Sequence, residues 1–386
     1  MALSPAALIA TNQGNKTFSG DITFTGDIIP SSPLSHRNLI INGAMQVAQR
    51  GTSDATNANG YPVDRFRGRV NQMDQLVIGL SQENDGPAGF TKSVKLNVNT
   101  PETSLDSDEY FRFEQSIEAQ NLQHLNYGTS DAKTLTLSFW VKSNLTGTYT
   151  VDLFKADTTL RNITRTYTIN AQNTWEKKTL TFPGDTDSGA TIANDNGLGF
   201  QLQWILGAGS QWTTTDSTSW GNWANGRLAY GHTANWTTTQ NNNWYITGVQ
   251  LELGDNATPF EYRTLQDELL RCQRYFYLVG GDSTGNQRNY IAGRTSNANA
   301  MYCAPPAAVP MRSTPTVGNF SGSFNINCIN KDGATNLNTQ PTIDTYDYGK
   351  PGNTVGNMYL SGGSGLTDGR VCCARINVAM TFDSEL

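Results

Sequence analysis

WYITGVQLELG at residues 244–254, DNATPFEYR at 255–263 and TLQDELLRCQRYFYL at 264–278 form the stretch that decides the fold. Its first part alternates apolar and polar residues as a strand does, but the alternation changes phase around Gly248. One extra residue there would return the side chains to one face, so the pattern predicts a β-bulge. The last part predicts a helix that Thr264 caps and that carries an apolar stripe of Leu265, Leu269, Cys272 and Phe276.

Strand patterns lie on both sides of this stretch, which predicts an all-β protein with one connecting helix at residues 264–279. Residues 37–263 contain about ten short strand candidates without a helical period between them, which favours a jelly-roll β-sandwich. These candidates include 38–43, 93–98, 110–117, 134–142, 149–154, 165–169, 175–182, 199–206 and 244–253. The first and the last should lie close together, as the ends of a domain often do.

Residues 280–386 predict a second, smaller β-sandwich domain. Within it, residues 331–356 are polar and rich in Gly, Asn and Asp, so we expect exposed loops there. Loops commonly carry binding specificity, which makes Tyr346 and Tyr348 candidate receptor contacts at the tip of the molecule. The alternative is that this loop packs on its own domain.

Residues 1–36 contain a short repeat, TFSGDI at 17–22 followed by TFTGDI at 23–28. Two repeats cannot bury an apolar face alone, because repeat units stabilise one another by stacking. We therefore interpret the segment as a strand that attaches the protein and intertwines with identical copies, most simply three. The alternative is an edge hairpin packed on its own domain. The apolar face that would make the oligomer contacts consists of Phe18, Ile22, Phe24 and Ile28.

Composition excludes several classes of function. The 386 residues carry a formal net charge of −6 and no long basic run, which argues against sequence-independent nucleic-acid binding. The N-terminus has neither a basic leader nor a long apolar run, so neither a signal peptide nor membrane insertion is expected. The five cysteines form no metal-binding spacing and predict reduced thiols, as in assembly in a cytoplasm.

Several motifs occur together and in order in a known family. NLIINGAMQVAQRGT (38–52), YPVDRFR (61–67), VQLELG (249–254) and ATPFEYR (257–263) resemble the carbohydrate-binding-like jelly roll of bacteriophage tail-fibre proteins. LLRCQRYF (269–276) resembles the helix that follows it, and VPMRSTPTV (309–317) is similar to a part of their C-terminal domain. The resemblance implies a virion protein, usually a homotrimer, that adheres to the host surface.

The opening of this region also resembles carbohydrate-binding modules in general. That resemblance implies a structural calcium ion between the first and last strands, and no other cofactor is expected. The position where those modules often have Glu is Gln46 here, a neutral ligand. Glu252 and Asp255 are the candidate calcium ligands, because hard cations need several oxygen atoms. The alternative is two surface carboxylates near a turn.

Tryptophan carries the prediction of a sugar site, because sugar CH faces pack on flat rings. Six of the eight tryptophans lie between residues 204 and 244, in a region with few charges. Trp204 and Trp244 follow strand alternation and are predicted to be core. The others lie among Gly, Ser, Thr and Asn; the alternatives for them are packing between subunits and clamping of loops onto the sandwich. The predicted carbohydrate contacts are Trp212, Trp220, Trp223, Trp236, Arg227 and Tyr230.

We predict that the protein is not an enzyme. Its three histidines have no nucleophile motif near them, and no metalloprotease or phosphate-binding motif is present. Paired carboxylates could still serve a polysaccharide depolymerase, and the pairs Asp185/Asp187 and Glu252/Asp255 are the candidates.

Together these features predict a structural virion protein of a bacteriophage: a homotrimeric tail fibre that binds host surface glycan through neutral, aromatic-rich loops. Residues 1–36 would contact other virion proteins. One alternative is a capsid decoration or head-fibre protein with the same adhesive fold. The other is a polysaccharide depolymerase.

Overall fold

A computed structural model describes residues 35–51, 53–54, 58–279, 289–297, 300–303, 307–318, 324–330, 333–337, 342–348, 356–361, 371–376 and 380–386. The predicted oligomer contacts Phe18, Ile22, Phe24 and Ile28 lie outside the described residues.

Two six-stranded antiparallel sheets form a β-sandwich, as the sequence predicts. The strands are β1 (Ser53–Asp54), β2 (Phe66–Asn71), β3 (Val77–Glu83), β4 (Ser93–Thr100), β5 (Tyr110–Glu118), β6 (Leu135–Ser143), β7 (Gly147–Lys155), β8 (Arg161–Ile169), β9 (Glu176–Phe182), β10 (Leu198–Ala208), β11 (Gly221–Asn222) and β12 (Asn243–Leu253). The first sheet has the order β1-β3-β4-β12-β6-β9 and the second the order β11-β8-β7-β10-β5-β2.

The core lies between the sheets and is strongly aromatic. Trp204 on β10 and Trp244 on β12 are both 0% exposed, which confirms their prediction as core residues. The Trp204 ring lies 5.7 Å from that of Phe139 across the sandwich, and the Trp244 ring lies 5.9 Å from that of Phe113. These rings join the two sheets and account for much of the apolar area that folding removes from water.

The predicted bulge is present in β12. Thr247 pairs with Trp140 of β6, but the next paired residue, Gln250, faces Ser138, so β12 has one extra residue. Gly248 at this point has φ +62°, a conformation that glycine adopts without strain. The bulge is predicted from the change of phase in the sequence, and its presence confirms that prediction. It keeps Val249 and the residues after it in register with the core.

Residues 38–43 lie beside the end of β12, as predicted, but they do not form a strand. Leu39 N donates to Leu251 O at 2.9 Å, and Val249 N donates to Gly43 O at 2.9 Å. The Asn38 side chain accepts from Leu251 N at 3.1 Å and donates to Val249 O at 3.0 Å. This amide takes backbone positions that a strand would otherwise fill, which is why the segment is irregular.

The connecting helix α1 (Leu265–Gln273) is shorter than the predicted 264–279. Thr264 Oγ1 accepts from Asp267 N at 3.2 Å, which confirms the cap, and Cys272 is buried. Leu265, however, is 58% exposed and does not belong to an apolar stripe. Phe276 is buried in a strand, β13 (Phe276–Val279), because the chain leaves the helix to pair with the C-terminal strand.

The C-terminal part forms two further antiparallel sheets. Its strands are β14 (Asn289–Asn297), β15 (Ala300–Cys303), β16 (Thr316–Gly318), β17 (Phe324–Asn330), β18 (Gly333–Leu337), β19 (Thr342–Tyr348), β20 (Gly356–Ser361), β21 (Val371–Ile376) and β22 (Met380–Asp383). One sheet has the order β13-β22-β16 and the other β18-β17-β21-β14-β15-β20-β19. The prediction of loops throughout 331–356 is therefore wrong where β18 and β19 lie.

No helix among the described residues is long and apolar enough to cross a membrane.

Candidate functional site

Two of the four predicted carbohydrate-binding tryptophans are buried. Trp236 is 0% exposed and stacks on Phe111 with 6.1 Å between the ring centroids. Trp212 is 7% exposed and packs edge-to-face against Tyr110 at 4.8 Å. Their rings hold the loop between β10 and β12 onto the second sheet, so these two predicted contacts are corrected to packing residues.

Trp220 and Trp223 are half-buried and also pack on the sandwich. Trp220 donates its indole N–H to Pro183 O at 2.6 Å and stacks on Phe200 at 6.4 Å. Trp223 meets the ring of Phe154 edge-on at 6.3 Å. Clamping of the loop, one of the alternatives open from the sequence, accounts for these contacts.

Arg227 holds the same loop together from inside. Its guanidinium donates to Asp216 O at 2.7 Å, to Ser219 O at 2.6 Å and to Asn162 Oδ1 at 3.0 Å. Its N–H groups are thus directed at the protein itself. Tyr230 is half-buried, and its carbonyl oxygen accepts from Thr150 Oγ1 at 3.1 Å.

The predicted receptor contacts Tyr346 and Tyr348 lie on strand β19 rather than on a loop. Tyr346 pairs with Met358 and Tyr348 with Gly356, both on β20. They belong to a different sheet from the predicted tryptophans.

A set of half-exposed rings lies instead on the outer surface of the first sheet, and we call it the aromatic face. Trp140 of β6 and Tyr245 of β12 alternate with buried neighbours and therefore point outward. Tyr262 is 59% exposed, and the other rings are half-buried. The aromatic face consists of Phe90, Trp140, Trp175, Tyr245, Phe260 and Tyr262.

Charged side chains are placed among the rings at one end of the aromatic face. Trp175 meets Tyr245 edge-on at 6.2 Å, and Lys142 Nζ lies 4.2 Å from the Tyr245 centroid. Lys95 belongs to β4, and its Nζ lies 5.7 Å from the centroid of the same Tyr245 ring. Asp85 accepts hydrogen bonds from Lys142 and, at 3.3 Å, from Trp175 Nε1, and the bond from Lys142 in particular lowers the pKa of its carboxyl.

The other end of the aromatic face covers the bulge. A Cβ on Gly248 would lie 2.7 Å from a ring carbon of Phe90 and 3.0 Å from one of Trp140, so both rings rest on this glycine. Phe90 packs against Phe260 at 5.0 Å and against Tyr262 at 5.5 Å. The bulge thus allows rings from three segments of the chain to meet on one surface.

The sequence contains a signal for this surface that composition hides. Leu137, Phe139 and Val141 alternate as the core side of the predicted strand 134–142, and the same alternation places Trp140 and Lys142 outward. Tyr245 is likewise outward because Trp244 and Ile246 are core. The density of tryptophans along the chain favours the loop instead, because density carries no information about the side of a strand to which each ring points.

Three of the four predicted metal or catalytic carboxylates make contacts within the fold. Glu252 is buried and accepts from Gln250 Nε2 at 2.8 Å and from Thr258 Oγ1 at 2.6 Å, whereas Asp255 is exposed. Asp185 forms a two-pronged pair with Arg161 at 2.6 and 3.1 Å, and Asp187 caps a short 3₁₀ helix. Within the described ranges, no group of three or more His, Cys, Asp or Glu side chains could hold a metal ion.

No protein-family model matches the chain, and no curated protein matches its sequence. Similar solved structures include the enzymatically active domain of bacteriophage CBA120 tailspike protein 4, at 14% identity and a TM-score of 0.31, covering 56% of this chain and 21% of that one. A putative sugar binding protein from Bacteroides thetaiotaomicron matches at 13% identity and a TM-score of 0.33, covering 56% of this chain and 100% of that one. The family 11 carbohydrate-binding module of Clostridium thermocellum Lic26A-Cel5E matches at 10% identity and a TM-score of 0.28, covering 53% and 96%. The chain thus spans about a fifth of the tailspike domain. Similarities this low assign neither a family nor a function.

Proposed function

We propose that this β-sandwich protein is a non-enzymatic adhesin that binds a host surface glycan through its aromatic face. The observation that carries the proposal is the set of rings that remain partly exposed on the outer surface of the first sheet. Most outward positions of a sandwich are polar, and exposed aromatic residues on a soluble β-sheet usually mark a binding surface.

The chemistry of the aromatic face suits a sugar chain. Flat rings take the CH faces of pyranoses, while the Asp85 carboxylate accepts from hydroxyls and the ammonium group of Lys142 donates to them. Lys142 and Asp85 lie beside Trp175 and Tyr245, so stacking and hydrogen bonding would act on one sugar unit. Each contact of this kind is weak, so strong adhesion would rest on several units or several chains binding together.

Substitution of Trp175 or Tyr245 by Ala tests the proposal. Loss of one stacking ring, worth about 1 kcal/mol, should weaken binding about fivefold. Binding would be measured as retention of the full chain on a panel of immobilised bacterial capsular and cell-wall polysaccharides. Thermal melting would verify that each variant is folded.

Trp223→Ala is the matched control, because it removes a half-buried tryptophan from the loop on the opposite sheet. It should leave retention unchanged. If Trp223→Ala abolishes retention and Trp175→Ala does not, the site is the loop and the proposal is wrong. If Trp175→Ala and Tyr245→Ala change the oligomeric mass but not retention, the face is a contact between subunits.

We further propose that the chain is a homotrimeric bacteriophage tail-fibre protein in the virion, attached through residues 1–36. The resemblance of residues 38–317 to tail-fibre motifs supports it. A capsid decoration or head-fibre protein is the alternative, and a polysaccharide depolymerase is the second one.

Light scattering tests the assembly. The full chain of 42.1 kDa should form a trimer, and a chain beginning at residue 34 should fall to monomers. A monomeric full chain would contradict the intertwined N-terminal strand and favour a singly anchored decoration protein.

A further inference from the structure

The outer surface of the second sheet carries a polar row that crosses five strands. Arg67 of β2 pairs with Glu114 of β5, Glu114 with Gln203 of β10, Gln203 with Asp152 of β7, and Asp152 with Thr164 of β8. Directly paired residues point to the same side of a sheet, so these five side chains form one line. All but Arg67 are buried, and the line reaches solvent at the β2 end.

Three guanidinium groups converge on one carboxylate at that end, and we call them the arginine cluster. Arg67 Nε lies 2.8 Å from Glu114 Oε1, Arg112 Nε lies 2.6 Å from Glu114 Oε2, and Arg69 Nη1 lies 3.8 Å from Glu114 Oε1. Arg69 also stands directly opposite Arg112 in the pairing of β2 with β5. Like charges in directly opposed positions destabilise a sheet, so this arrangement costs stability as it stands.

Within the arginine cluster itself, the positive groups outnumber the carboxylate they share. Three positive groups face the single charge of Glu114, which leaves an excess of two positive charges by 3 − 1. Burial raises the pKa of Asp152, the next ionisable group along the row, to about 8, which weakens its ability to offset the cluster's positive charge. Glu385, on the same side, is paired with Arg65 and Arg50.

A pocket lies beside the cluster, with a volume of about 300 Å³. It is lined by Asn59, Arg67, Gly68, Arg69 and Val70. The pocket is open to solvent and is larger than a bare inorganic anion needs. Arg69, with 47% of its side chain exposed, lies at the boundary between the pocket and solvent.

We propose that the arginine cluster and this pocket bind an acidic saccharide unit, with the guanidinium of Arg69 on its carboxylate or sulfate group. Planar guanidinium groups match such oxyanions with paired hydrogen bonds. An anion there would also relieve the repulsion between Arg69 and Arg112. The site lies on the opposite sheet from the aromatic face. Its test therefore does not depend on whether the aromatic face binds glycan.

Surface plasmon resonance with the full chain tests the proposal, using immobilised polygalacturonate, hyaluronate and heparin, with dextran as the neutral polymer. Wild-type protein should bind at least one acidic polymer and not dextran. Arg69→Gln should weaken that binding about tenfold, the effect of one charge-assisted hydrogen bond of ordinary strength. Arg69→Lys should give a smaller loss, because it keeps the charge but not the paired geometry.

Lys133→Gln is the matched control, because it removes one exposed positive charge far along the chain from the cluster. Equal weakening by Lys133→Gln and Arg69→Gln would show a general charge effect and overturn the proposal. Binding of dextran as tightly as the acidic polymers, or failure to bind any of the polymers, would also overturn it.

Free glucuronate should displace the polymer at lower concentration than inorganic phosphate does. The reverse order would make the pocket a simple anion site and overturn the saccharide assignment. Trp175→Ala should not affect this assay.

Discussion

Gly248 shows how one residue joins the fold to the candidate site. Its positive φ places the extra residue of the bulge, and its missing side chain leaves the space in which Phe90 and Trp140 rest. We expect Gly248→Ala to lower the free energy of unfolding by about 1–3 kcal/mol through backbone strain, with a further loss from the two ring contacts. Urea denaturation measures the combined loss of stability. Weaker glycan retention would report the displaced rings.

Gly254→Ala separates strain from steric conflict. Gly254 also has a positive φ, +107°, but a Cβ there would meet nothing within 4 Å. Its substitution should cost about 1–3 kcal/mol through backbone strain alone, because φ +107° lies outside the left-handed helical region, and should leave glycan retention unchanged. If both variants lose the same stability and neither loses retention, the rings over Gly248 do not depend on the glycine as we argue.

At the scale of the element, alternation predicted most strands of the sandwich because one side of each strand faces the core. β2, with the sequence FRGRVN, is not among the predicted strands although it alternates: Phe66 and Val70 lie on one side and its two arginines on the other, so only two large apolar residues mark it, and its pairing with β5 includes the ion pair of Arg67 with Glu114. Residues 38–43 gave a false signal, because three apolar residues in a row suggest a strand while Asn38 supplies the backbone bonds from its side chain. Both errors arise from partners distant in sequence.

The candidate site was harder to predict than the strands. Trp212 and Trp236 look exposed in a loop of small polar residues, but they pack on Tyr110 and Phe111 of β5, more than a hundred residues earlier. No local pattern reports such a contact. The outward position of Trp140, in contrast, follows from strand alternation alone.

At the scale of the whole molecule, the C-terminal residues return to the sandwich. β22 pairs with β13, which directly follows α1, and Arg274 pairs with the buried Glu118 of β5 at 2.7 and 2.8 Å. Glu385 lies between Arg50 and Arg65 of the sandwich. These contacts tie residues 380–386 to the first domain and place them on the side of the arginine cluster.

Arg312 is the residue on which this junction converges, and its substitution tests how far the molecule acts as one unit. Its guanidinium donates to Asn196 O at 2.9 Å, to Ser384 O at 2.7 Å and to Glu385 O at 3.2 Å, joining the sandwich to the C-terminus. Arg312→Ala should cost about 2–4 kcal/mol, because three buried or half-buried carbonyls lose a charged donor. Hydrogen exchange should become faster at residues 380–386 and stay unchanged in the core strands of the sandwich.

Arg271→Ala is the control, because it removes only the ion pair of Arg271 with Asp267 on the surface of α1. It should change the free energy of unfolding by no more than about 0.5 kcal/mol. Unchanged exchange at the C-terminus in Arg312→Ala would show that β22 is held by its strand pairing alone.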